Sequence, residues 1–308
     1  MKQSDKLKFD KYCYMKENVI YALGFFDGVH LGHQALLTAC RHLAFGKGCA
    51  AGVVTFANHP DTLVTARTPL LINTVEERQR MLLGFGIRHI TVLPFDEKLM
   101  NMPWTLFLED LIEKGAAGFV CGDDFRFGFR GEGNARLLAD FCRERELPWA
   151  VVPAQTLDGV RVSSTHIRQL LETGEMAKAV RFLGHPHEIT GTVVSGRRLG
   201  RTIGIPTANI RLSEGVVCPK HGVYACKAVV DGREHSAVTN IGNRPTVGGH
   251  HVTVEAWLLD FEGDLYGKEL RLLFHAFLRP EEKFDSLAQL QAEIQKNAQQ
   301  VRKIFGKQ

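Results

Sequence analysis

The hydropathy pattern changes once along this chain, near Gly184, and that change limits the fold more than any other feature. Before it, short apolar runs alternate with longer amphipathic ones. Residues 19–24 (VIYALG), 50–56, 89–95, 119–122 and 149–153 read as strands, and residues 33–43, 75–83, 103–114 and 134–146 between them have helical spacing. Strands alternating with helices predict an α/β domain with a parallel sheet covered on both faces. Local signals agree. Thr74 precedes the second helix with Glu77 three residues on, the pattern of a capping box. Pro103 opens the third helix and Gly115 follows its end. Two short helices, 164–172 and 176–183, are separated by Gly174.

After Gly184 the runs 187–194, 222–230, 235–241, 252–261 and 269–278 are all strand-like, punctuated by the turn sequences DGRE, GNRP and FEGD. They predict a small antiparallel barrel or sandwich. Residues 286–305 return to helical spacing through Leu287, Leu290, Ile294, Val301 and Ile304, a stripe expected to pack on the barrel. A chain of 308 residues suits two such domains, 1–184 and 185–308. Each is large enough for its own core, so the halves are expected to be separable.

No apolar run approaches the roughly 20 residues that span a bilayer, and the polar N-terminus lacks the apolar core of a signal peptide. The seven cysteines show no C-x-x-C spacing, which argues against a zinc site or a disulfide framework. A reducing cytoplasm is the expected setting, without membrane contact. The net charge of +4 suits phosphorylated small molecules and does not demand nucleic acid.

The most informative stretch is LGFFDGVHLGH, residues 23–33. A strand ends at Gly24, passes Phe26, Asp27 and Gly28, and delivers His30 and His33 to a helix start. Glycines let a ligand approach the backbone. The helix N-terminus offers free N–H groups to an anion, and the histidines can donate to charge that develops as pyrophosphate leaves. A lone histidine in a turn is more often an ordinary surface residue; the whole segment argues for polyphosphate. Farther on, Ser164 can cap the following helix, its hydroxyl and the adjacent N–H groups suit phosphate, and Arg168 can add a fixed charge. Arg161, beside a glycine turn, is weaker evidence. The glycines of GKGCAAG precede a strand at the wrong spacing for a dinucleotide fingerprint, and GRRLGRT lacks the ending of a P-loop.

These segments carry a resemblance. HxGH after a first strand is similar to the nucleotidyltransferase signature. GFFDGVHLGH, the turn TFANHP at 55–60, the segment GDDFRFG at 122–128 and RVSSTHIR at 161–168 together resemble the adenylyltransferase half of the bacterial bifunctional riboflavin kinase/FAD synthetase family. The resemblance implies a Rossmann-like N-terminal domain whose ATP site includes Gly24, Phe26, Asp27, Gly28, His30, His33, Asp124, Arg161, Ser164, Thr165 and Arg168. It continues through the second half. GRRLGRTIGIPTAN, residues 196–209, resembles the kinase motif G-R-x-x-G-F-P-T-A-N, with Ile205 for the usual phenylalanine, and GVYA, NIGNRPT and VEAWLLDF follow in order.

In that family the threonine and asparagine matching Thr207 and Asn209 bind Mg²⁺ with ATP, and both offer neutral oxygens that share a face if extended. Glu255 lies inside an apolar strand, where a carboxylate needs a reason; the resemblance makes it the candidate general base for the riboflavin 5′-hydroxyl, against a salt-bridged barrel glutamate. Gly196, Gly200, Arg201, Gly204, Pro206, Tyr224 and Arg279 are the implied flavin and ATP contacts of this half. Trp257 and Asn297 depart from the family's usual histidine and aspartate. The resemblance therefore implies phosphorylation of riboflavin to FMN and adenylylation of FMN to FAD. ATP is the co-substrate, Mg²⁺ the cofactor, and riboflavin, FMN and FAD the ligands. It leaves a homo-oligomer open. Two rivals are a member with one silent half and a flavin-sensing regulator that binds RNA. No interleaved basic–aromatic stripe supports the second, so nucleic acid is not an expected partner.

Overall fold

A computed structural model of the chain describes residues 18–64, 68–196, 200, 204–246 and 249–306. The first half is built on β1 (Val19–Leu23), α1 (Leu31–Lys47), β2 (Ala50–Phe56), the short α2 (Asp61–Val64), α3 (Val75–Gly84), β3 (His89–Leu93), the short α4 (Glu97–Met100), α5 (Trp104–Glu113) and β4 (Ala116–Gly122). A small hairpin, β5 (Arg126–Phe127) with β6 (Gly133–Asn134), precedes α6 (Ala135–Glu144) and β7 (Trp149–Val152); a second, β8 (Thr156–Leu157) with β9 (Val160–Arg161), follows. The five long strands form a parallel sheet in the order β3-β2-β1-β4-β7. The chain moves outward from β1 on one side, then returns to β1's other edge with β4. That reversal opens a crevice at the carboxyl end of β1, where open α/β sheets bind ligands.

The helix ends follow the sequence signals closely. Thr74 and Glu77 form both bonds of a capping box, and Asn134 and Ser163 cap α6 and α7 (Ser164–Thr173). Ser164 does not cap, contrary to expectation. Its neighbour Ser163 takes the His166 amide at 3.3 Å, which frees the Ser164 hydroxyl to donate to the Asp27 carbonyl at 3.0 Å. α1 begins two residues before the expected 33, because His30 rather than a later residue serves as its cap.

After α8 (Met176–Leu183) come β10 (His187–Thr192), β11 (Ala208–Arg211), β12 (Gly222–Val230), β13 (Arg233–Thr246), β14 (Gly249–Leu258) and β15 (Glu269–Arg279), then α9 (Leu287–Phe305). These strands pair antiparallel in the order β10-β15-β12-β13-β14-β11, and a bridge from Val194 to Asn209 brings the two edges together into a nearly closed barrel. β11 went unread in the sequence because its four residues are too short to show alternation. The barrel carries α9 against β12 and β13 through Ala298 and Val301, as the apolar stripe requires.

The sheet and the barrel have separate buried clusters, but the division falls before α7 and not at Gly184. Ile72, Ile167, Leu171 and Phe182 bury in the same cluster as Ile189, Tyr224, Leu272 and Phe274 of the barrel. α7 and α8 therefore cover one side of the barrel instead of the sheet. Main-chain bonds cross as well: Leu71 N–H donates to the Gly215 carbonyl at 2.8 Å, and Val217 N–H to the Leu71 carbonyl at 2.7 Å. Glu188, 4% exposed, sits between Arg80 and Arg271 at 2.5 and 3.2 Å. Among the described residues all six cysteines are free thiols.

Candidate active sites

At the carboxyl end of β1 the chain turns through Phe26, Gly28 and Val29, all at positive φ (59°, 78° and 38°). Only glycine adopts this region freely, so strain is concentrated at Phe26 and Val29. At Gly28 a Cβ would stand 2.8 Å from the Ile72 side chain. The turn holds Asp27 inward, 2% exposed. Its Oδ1 accepts from the Ile72 amide at 2.8 Å and its Oδ2 from Arg168 at 3.0 Å. Burial pushes the Asp27 carboxyl up from its usual value, and the Arg168 guanidinium pulls it back. His185 closes the turn from the linker, its Nε2 2.9 Å from the Gly28 carbonyl.

His30 caps α1 through Nδ1, which accepts from the His33 amide at 3.3 Å. The two imidazoles stack at 3.7 Å between centroids. Burial, with repulsion from His185 and Arg168, lowers His30 to about 4. Burial, His30 and Arg78 lower His33 well below its usual value. Both rings are therefore neutral near pH 7. Since Nδ1 of His30 accepts, its proton sits on Nε2, a donor for an anion but not a cation. Positive charge at the site comes from arginines.

Arg168 stands on the face of α7 that meets Asp27. Thr165 is exposed on the first turn of α7. Asp124 and Arg161 pair with each other, both exposed, so this ion pair lies outside the buried cluster. Gly24 packs under the Phe26 ring. Two groups were missed in the sequence. Arg78, 0% exposed, donates to the Phe25 and Phe56 carbonyls at 2.9 and 2.5 Å; its only signal was a charge on the face of α3 that also buries Leu82. The Ile72 amide had none. Next to the turn lies a cavity of about 930 Å³ walled by Phe25, Phe56, Phe95, Phe125, Phe129 and Leu63.

The barrel has its own cavity, about 600 Å³, between the β13–β14 face and α9. Thr207, Glu255, Asn240, Trp257, Arg279 and Asn297 line it, with Leu287, Leu290 and Ile294 of α9 as its roof. Glu255 lies opposite Asn209 on β11 and opposite Asn240 on β13. Asn209 is buried, with its Nδ2 3.4 Å from the Thr207 carbonyl. A Cβ at Gly196 would meet that asparagine side chain at 2.7 Å, so the glycine permits the loop's approach. At Gly200 a Cβ would overlap the Ile205 carbonyl, whose residue closes the loop with an N–H bond of 2.7 Å to Gly200 O. Pro206 and Thr207 border a second, smaller cavity of about 70 Å³ with Asp264 and Tyr266. Gly204 is exposed at φ 70°. Arg201 lies outside the described residues.

Tyr224 is placed differently from expectation. It is 0% exposed, packed on Phe274 and Phe277, with its hydroxyl donating to the Lys220 carbonyl. The strand register turns it into the barrel interior, away from the cavity. Arg279 reaches the cavity and donates to Asn297 Oδ1 at 3.2 Å, with Glu293 at 3.7 Å. The departure at Asn297 therefore meets Arg279 with a neutral oxygen where an aspartate would place a charge.

A parallel sheet with a histidine-bearing turn at the carboxyl end of its first strand, fused to a barrel with an oxygen-lined cavity, suits a protein with two nucleotide-dependent transfer sites. Comparison with known proteins agrees in both halves. The riboflavin kinase family model matches residues 183–305 and the FAD synthetase model residues 14–166. The bifunctional riboflavin kinase/FMN adenylyltransferase of Listeria monocytogenes is 35% identical, over 94% of this chain and 93% of its own. That of Escherichia coli K12 is 36% identical over 94% of each. The chain belongs to this bifunctional family: it phosphorylates riboflavin to FMN with ATP and adenylylates FMN to FAD.

A solved structure described as a macrolide-efflux protein from Streptococcus pneumoniae has the same fold, with a TM-score of 0.84 at 29% identity over 93% of this chain and 94% of that one. Efflux is said of that protein. Among the described residues here, no helix is long and apolar enough to cross a membrane.

Proposed function

We propose that riboflavin enters the cavity under α9 with its 5′-hydroxyl beside Glu255, and that the catalytic work divides between residues 1–184 and 185–308. Glu255 accepts the hydroxyl proton as the oxygen attacks the γ-phosphorus of ATP; the new P–O bond gives FMN and the old one leaves with ADP. The observation that carries this reading is a carboxylate inside an apolar strand, flanked by Asn209 and Asn240 and open to a cavity large enough for a flavin. Arg279, steadied by Asn297, is placed to orient the substrate.

The donors also suit Mg²⁺. Thr207 and Asn209 offer neutral oxygens, and among the described residues no cluster of three or more His, Cys, Asp or Glu forms a charged cage. Mg²⁺ prefers few protein oxygens together with water and phosphate. Thr207 and Asn209 would hold it, and it would offset charge on the ATP phosphates.

In the sheet domain, FMN places its ring in the aromatic cavity and its phosphate toward the His30 turn. An FMN phosphate oxygen attacks the α-phosphorus of ATP, and the α–β bridge bond breaks to release pyrophosphate. The nucleophile is already anionic, so no side-chain base is needed. His30 Nε2–H donates to the developing charge, and Arg168, held by Asp27, supplies the fixed cation. Asp124, Arg161 and Thr165 belong to the outer rim, where they can meet ATP as it binds.

The test is Glu255→Gln, which keeps shape and removes the base. Riboflavin phosphorylation should fall roughly 10²–10⁴-fold while FMN adenylylation in the same protein is unchanged. Kinase turnover within a few-fold of the parent would make Glu255 structural.

A further inference from the structure

We infer that Arg78 is a positioning residue for adenylyl transfer, acting through the strand ends that wall the aromatic cavity. The inference rests on the assignment of FMN to that cavity. Arg78 projects from α3 into the interior with no exposed surface, on the same face as Leu82. A buried guanidinium is costly unless its donors are used, and an apolar side chain would pack a helix face without that cost.

Both of its Nη groups donate to the main chain, while Nε has no hydrogen-bond partner among the described residues. One Nη reaches the Phe25 carbonyl and the other the Phe56 carbonyl, at 2.9 and 2.5 Å. These residues stand at the carboxyl ends of β1 and β2, the side on which such sheets bind ligands. Both line the aromatic cavity. The guanidinium also lies over the Phe25 ring at 4.6 Å, and that ring meets His59 edge-on at 4.8 Å. The Thr55 hydroxyl adds a bond of 2.7 Å to the same Phe25 carbonyl.

One side chain therefore fixes the spacing of two cavity walls and the orientation of the ring between them. It does so immediately before the turn that carries Asp27 and His30. A planar fork can hold two carbonyls at once, whereas a lysine offers a single point of attachment. Without the fork, Phe25 and Phe56 lose their fixed separation, and the flavin ring loses its seat before the phosphate chemistry is touched.

The experiment measures KM and kcat of FMN adenylylation for Arg78→Met and Arg78→Lys, with circular dichroism and the thermal melt of each preparation as the measure of folding. Leu99→Gln, at a lining residue that Arg78 does not bond, reports on the cavity assignment alone. The expected result is a rise in KM for FMN of about tenfold or more in Arg78→Met and a smaller rise in Arg78→Lys, with KM for ATP changed far less. If Arg78→Met fails to fold, shown by loss of its cooperative melt, Arg78→Lys carries the comparison. KM for FMN within twofold of the parent in the folded Arg78 variants overturns the inference. If Leu99→Gln raises KM for FMN in that case, the cavity assignment stands and only the role of Arg78 falls. If Leu99→Gln leaves it unchanged too, both fall.

Discussion

At the scale of single residues, the proposed adenylyltransferase site separates hydrogen bonding from charge. His30 is buried and His33 half-buried, and both are neutral, so under the proposed mechanism they serve as hydrogen-bond donors while Arg168 provides the cation. Losing a preorganised donor at such a site costs about 10²–10³-fold in rate. His30→Ala should therefore lose FAD formation by that order and keep riboflavin phosphorylation; both half-reactions assayed on one preparation check this.

The same burial has a pH consequence. A histidine in the unfolded chain takes its proton near 6.5, but folded His30 resists until about 4 and His187 until about 3. Between those values the unfolded state binds more protons, so stability falls as pH drops below about 6.5 and levels off near 3–4. Among the described residues neither ring nitrogen of His187 has a hydrogen-bond partner. His187→Phe should flatten the fall in melting temperature between pH 7 and 5, and an unchanged slope would place the acid sensitivity elsewhere. The motif LGFFDGVHLGH was legible because glycine and histidine at a strand–helix junction have few other uses. The strain at Phe26 and Val29 was not, since neither residue type favours positive φ; the surrounding contacts impose it.

At the scale of elements, α9 shows one apolar stripe divided between two tasks. Ala298 and Val301 bury against the barrel, whereas Leu287, Leu290 and Ile294 roof the cavity. Periodicity identifies such a stripe but cannot say which part meets protein and which meets ligand. Leu290→Gln should raise KM for riboflavin with little effect on the thermal melt, as steady-state kinetics and calorimetry would show. α8 is the converse case. Phe182 is 1% exposed in the cluster shared with the barrel, so Phe182→Ala should cost about 3–5 kcal/mol in a denaturant titration. The capping box of α3 was readable because its pattern is local. Whether Ser163 or Ser164 capped α7 was not, because a tertiary contact with Asp27 decides between neighbouring serines.

At the scale of the whole molecule, the change of pattern at Gly184 marks a change of architecture, whereas the buried core divides earlier, before α7. α7 and α8 belong to the first half in sequence and to the barrel in packing, and no hydropathy pattern reveals which neighbour covers a helix. A fragment of residues 185–308 keeps Thr207, Asn209, Glu255 and α9 but uncovers the barrel face that meets Leu171 and Phe182. It should melt well below a fragment that begins at residue 160, and equal melting temperatures would show that this cover contributes little. The central claim is that two independent sites act in sequence through free FMN. Its most direct test supplies riboflavin and ATP to His33→Ala, to Glu255→Gln and to a mixture of the two, with flavins resolved by chromatography. Over a time in which the parent converts its riboflavin to FAD, the account predicts FMN with at most about a hundredth of the parent's FAD from the first, little of either product from the second, and FAD from the mixture. FAD from His33→Ala alone at near the parent's rate, or no more from the mixture than from either variant alone, would contradict it.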